Sequence, residues 1–141
     1  MINERAMRAA LIVLGAVQVA SGALALVAPG TFFDEIGRYG VENQHYVGDV
    51  GAFVLAFGTA LLVAAWHPSW RLPVLALGAL WSGLHVINHV LDVGDARSDA
   101  RGIFDAVYLG IAGLLYVYLA WVAARLQAPG AESPARGEEP S

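Results

Sequence analysis

Two histidines four residues apart, His85 and His89, stand in a stretch that is otherwise almost wholly apolar. Ser82, His85, Asn88, His89 and Asp92 are linked by spacings of three and four. On a helix they form one polar stripe, leaving Leu84, Val86, Ile87, Val90 and Leu91 to the remaining surface. Imidazoles at i and i+4 reach the same object, which is the geometry of many metal sites. His45 and Asp49 repeat that spacing upstream, and Asp105 adds a further carboxylate. His45, Asp49, His85, His89, Asp92 and Asp105 together form a donor set suited to a divalent ion such as zinc, iron, copper or manganese. A b-type haem held by His45 and one of the later histidines is the less favoured version, because a chain of 141 residues has little with which to wall it. Asn43, Asn88, Ser82, Gln18 and Tyr108 are the polar side chains expected to support such a site.

Each of these residues also has a plain structural explanation. Asp49 and Asp105 fall near expected helix starts, where a carboxylate caps free N–H groups and suits the helix dipole. His45 suits a wet loop, and His67 before Pro68 a surface turn. Asp92 differs, because a carboxylate at a helix C-terminus opposes the dipole and calls for a partner such as His89, Arg97 or Arg101. His85 and Asn88 could serve as interhelical hydrogen-bonding glue worth about 0.6–2 kcal/mol. The set therefore supports a structural polar network, a metal or small-ligand site, or movement of a proton or ion.

Many other chemistries are excluded. The chain has no cysteine, which removes thiolate catalysis, disulfides and cysteine-ligated metal. A net charge of −4 without a basic cluster gives nucleic acid nothing to bind. No Ser-His-Asp nucleophile motif, phosphate loop or dinucleotide fingerprint is present, and four histidines are too few for the di-iron sites of membrane desaturases. No catalytic residue is assigned, and the chain reads as a non-enzymatic protein.

The polar residues must be positioned by membrane helices. The chain is 57% hydrophobic and only 14% charged, with a mean hydropathy of +0.58, whereas soluble domains carry about 25% charged residues. A bilayer core needs roughly 20 apolar residues per helix. Four spans are expected, at residues 9–28, 47–66, 73–92 and 103–126, with Pro73 opening the third and Gly94 capping its end. The first resembles a signal peptide but is longer than an ordinary h-region and is expected to stay in the mature protein. Residues 128–141, rich in proline and charge, are expected to form a disordered cytoplasmic tail. Arg5, Arg8, Arg71, Arg125 and Arg136 outnumber Arg38, Arg97 and Arg101, which puts both termini on the cytoplasmic side of the plasma (inner) membrane. An all-α, up-down-up-down four-helix bundle follows, with the lipid bilayer as its surroundings and a membrane protein partner or a second copy as candidate company. Small residues such as Gly15, Gly22, Gly48, Ala52, Gly78 and Gly110 let its helices approach closely. The runs at 40–50 and 84–92, together with Asp105, then meet at the outer level, and the run at 67–73 forms the inner-side turn.

Those three runs, Gly-Val-Glu-Asn-Gln-His-Tyr-Val-Gly-Asp-Val, His-Pro-Ser-Trp-Arg-Leu-Pro and Leu-His-Val-Ile-Asn-His-Val-Leu-Asp, resemble the small four-span integral membrane proteins of actinobacteria, a loosely DoxX-like group. The resemblance covers about Arg8 to Arg125. It implies a four-helix membrane bundle and, by further analogy, a component of a membrane oxidoreductase complex working with haem, metal or quinone. The group offers no established catalytic residues to carry over.

Overall fold

The computed structural model describes residues 3–127, so the expected tail lies outside the described residues. Helix α1 spans Glu4–Val27 and is capped by Asn3, whose side chain accepts from the Ala6 N–H at 2.9 Å. A short helix α2, Pro29–Glu35, leads through a loop to α3, Gln44–Trp66. Helix α4 runs Pro68–Leu91, and a 3-10 turn at Val93–Asp95 connects it to α5, Asp99–Gln127. Helices α1, α3, α4 and α5 are each long and apolar enough to cross a membrane. The protein is thus an all-α four-helix bundle and a small multi-pass membrane protein.

Several boundaries differ from the sequence expectation, with consequences for the site. Proline starts α4, but it is Pro68 that takes the first helical position; Pro73 lies inside the helix. Because Pro73 falls early in α4, its missing N–H leaves free only the carbonyl of Ser69, which is exposed. Helix α5 begins at Asp99, four residues before the expected start, so Asp105 sits in the second turn and not the first. Asp49 is likewise a turn beyond the N-cap, a role filled by Asn43, whose side chain accepts from the Tyr46 N–H at 3.3 Å. Neither aspartate caps a helix. Gly94 belongs to the 3-10 turn, and Asp92 takes the C-cap of α4.

Helix α1 packs most closely on α3, and α4 on α5. The α1–α3 contact is a backbone-to-backbone approach made possible by glycine. A Cβ added at Gly22 would stand 2.4 Å from the Leu55 nitrogen, and one at Gly58 would stand 2.6 Å from the Val19 nitrogen. The α3 residues that permit this are Gly51 and Gly58; Gly48 has open space around it, and Ala52 and Ala56 are exposed. The paired glycines recur every seven residues, at 15 and 22 on α1 and at 51 and 58 on α3, which keeps each pair on one helical face.

The two ends of the bundle are built differently. At the end carrying the described termini, arginines cover the carbonyls left free where α3 stops: Arg8 donates to the Ala65 carbonyl and Arg71 to that of Ala64, both at 3.2 Å. Arg71 is 2% exposed, and one of its terminal nitrogens donates to both carboxylate oxygens of Glu4 at 2.8 Å. Gln127 donates to the Pro68 carbonyl at 2.7 Å. Met7, Leu11, Leu61, Leu75 and Leu119, the fully buried large side chains, all lie in this half. The opposite, distal half is more open and holds the cavities.

Candidate functional site

The distal end is closed by a latch between two loops. Tyr39, in the loop after α2, bridges to Ala96, and the Gly40 N–H donates to the Asp95 carbonyl at 3.2 Å. Gly40 adopts a φ of 57°, a left-handed conformation that glycine allows without strain. Tyr39 then donates its hydroxyl to Asp105 at 3.3 Å. Arg101, one turn before Asp105 on α5, contacts both carboxylate oxygens through Nε at 2.9 and 3.0 Å and reaches the Ile36 carbonyl at 3.2 Å. Asp105 is therefore buried but fully paired, as a buried carboxylate must be. Burial raises the Tyr39 phenol above its ordinary value, and the negative charge of Asp105 and its hydrogen bond raise it further, against the pull of Arg101. The phenol thus stays protonated and remains a donor at neutral pH.

Beneath this latch lies a cavity of about 510 Å³, within the roughly 300–1,000 Å³ range of small-molecule sites. Its walls are mainly apolar: Phe32, Phe33, Ile36, Val41, Val47, Val50, Phe104 and Leu109. Into them are set Tyr39, Asn43, Tyr46, His85, Asn88, His89, Asp92, Arg101, Asp105 and Tyr108. A second cavity of about 240 Å³ lies deeper and shares Phe32, Ile36, Val50, His85, Tyr108 and Leu109 with the first, so the two adjoin. Gln18, Ser21, Ser82 and Tyr116 line this deeper part, where Gln18 donates to the Tyr116 hydroxyl at 3.3 Å.

His85 and His89 meet through their Nε2 atoms at 3.0 Å, and His89 also makes a T-shaped contact with Tyr39, with ring centroids 4.6 Å apart. One Nε2 must carry the proton and the other accept it. The accepting ring then bears its own proton on Nδ1. The Nδ1 atoms of both rings are buried without a hydrogen-bond partner among the described residues. At least one buried N–H of the pair is thus an unsatisfied donor, a state that costs about 1–3 kcal/mol.

The expected donor set is only partly brought together. His85, His89, Asp92 and Asp105 line one cavity, with Asn43, Asn88 and Tyr108 around them. His45 and Asp49 lie outside it: they stand 3.6 Å from each other, with side chains 80% and 66% exposed. Asp105 is committed to Arg101 and Tyr39. Among the described residues no group of three or more His, Cys, Asp or Glu side chains is placed to hold a metal ion, so the six-residue shell does not form. Ser82 and Gln18 belong to the deeper cavity.

Sequence reasoning missed Tyr39 and offered Arg101 as a partner for Asp92, whereas Arg101 holds Asp105. The Arg101–Asp105 spacing of four was visible, but starting the last helix at Ile103 left Arg101 off it. Tyr39 reaches the site from a loop, and no helical periodicity could announce it. Compared with models of known protein families, with curated proteins and with solved structures, the chain matches none of them.

Proposed function

We propose that this protein binds a small, mainly apolar molecule at its distal end and does so without catalysing a reaction. The observation that carries this reading is the apolar cavity of about 510 Å³ whose wall contains the His85–His89 pair and a few further polar side chains. Apolar walls supply binding energy, and a few fixed polar groups orient the occupant. The deeper cavity extends the room available for an apolar body.

The test is a search for a stoichiometric small molecule in organic extracts of protein purified in lipid nanodiscs. A Leu109→Trp variant, which adds bulk at a residue shared by both cavities, should lose that molecule while keeping its helicity. An equal amount in the variant overturns the reading. Elemental analysis covers the ion alternative: stoichiometric metal that disappears in the His85→Ala/His89→Ala double variant would replace the small-molecule reading with a metal site.

A further inference from the structure

Resting on that reading, we infer that the occupant is a lipophilic cation, held by Asp92 and the aromatic walls of the distal cavity. Asp92 carries the argument. It is the C-cap of α4, where the helix presents its negative pole, and a carboxylate is least welcome there. Its carboxylate has no hydrogen-bond or ion-pair partner among the described residues. Arg101 is engaged with Asp105 and the Ile36 carbonyl, and His89 with His85. Arg97 lines a separate small cleft and not this cavity.

The remaining charge in the wall cancels. Arg101 and Asp105 neutralise one another, and with both imidazoles in their neutral form, one Nε2 donating to the other, the histidine pair adds nothing. Asp92 is left as an uncompensated negative charge at the edge of an apolar cavity. The rest of the wall suits a cation as well. Phe32, Phe33, Tyr39, Tyr46, Phe104 and Tyr108 surround the space, and aromatic faces attract a positive charge that has lost its water. The wall already shows this contact once, with the Arg101 guanidinium 6.0 Å from the Phe104 ring centre. An anion would meet Asp92 with no free cation to offset it. A neutral molecule offers Asp92 a hydrogen bond at most and no counter-charge. An apolar body with a delocalised positive charge satisfies cavity and carboxylate together.

Three aromatic probes of related shape separate the possibilities: tetraphenylphosphonium (cation), triphenylphosphine oxide (neutral) and tetraphenylborate (anion). Equilibrium dialysis against the full chain in zwitterionic nanodiscs, with empty nanodiscs subtracted, gives the affinity of each. The expected order is cation above neutral above anion. Asp92→Asn should cut the affinity for the cation about tenfold and leave the neutral probe unchanged, and Asp92→Glu should restore the preference. If the neutral probe binds and the cation has no advantage, or Asp92→Asn leaves that advantage intact, the inference fails while the cavity reading survives. If no probe binds beyond empty nanodiscs, both fail.

Discussion

Asp92 and Asp105 are both carboxylates at the distal end, yet their energetic roles are opposite. Asp92 opposes the dipole of α4 with no partner among the described residues, a loss of about 0.3–1 kcal/mol. Asp92→Asn is therefore expected to leave the thermal unfolding temperature unchanged or slightly raised, and a clear fall would mean that an unseen contact holds the carboxylate. Asp105 is buried and paired, so Asp105→Ala should destabilise by about 1–3 kcal/mol in denaturant titrations, because Tyr39 loses its acceptor and Arg101 its counter-charge. The pH dependence of that contact has a definite sign. The folded environment raises the Tyr39 phenol above its ordinary value near 10.0, so the contribution of the contact is complete below that pH and is lost as the solution rises beyond it. Phenolate absorbance should show one fewer late-titrating tyrosine in Tyr39→Phe than in the wild type.

At the level of elements, the α1–α3 contact depends on absent side chains. Gly22→Ala brings a methyl group against the Leu55 backbone and should cost about 1–3 kcal/mol, whereas Gly48→Ala and Gly110→Ala, which face open space, should cost almost nothing. Thermal unfolding of the three variants in one detergent decides this, and equal losses would contradict the packing described. The latch makes a separate prediction. Removing the Tyr39 hydroxyl should speed hydrogen exchange at Gly40, whose N–H bonds to Asp95, without changing exchange in the middle of α3. The elements themselves were readable because hydropathy and helical spacing are local properties. Their relative rotation was not. His45–Asp49 and His85–His89 have the same spacing, and one pair faces outward while the other lines a cavity. Spacing fixes how two residues on a helix relate to each other; packing fixes which way both of them face.

For the whole molecule, the polar residues at the distal level were legible as exceptions to an apolar chain, since intramembrane polar groups seek the protein interior. The structure adds the asymmetry between the ends. Arg71, read as a marker of membrane side, proves to be 2% exposed and tied to Glu4 and the end of α3, a role that depends on three helices meeting. Arg71→Ala should therefore lower stability by several kcal/mol by leaving Glu4 and the Ala64 carbonyl without their donor, a loss that thermal unfolding in detergent would register. The helices also fall into two pairs: α1 packs on α3 and α4 on α5, with less contact between α3 and α4. Only His67 separates α3 from α4. The α1–α3 pair is thus a unit that a ribosome can finish and a membrane can accept before α4 and α5 exist. A gene divided after His67 should yield two polypeptides that reassemble when expressed together, and their co-purification would show that the covalent link between the halves is dispensable.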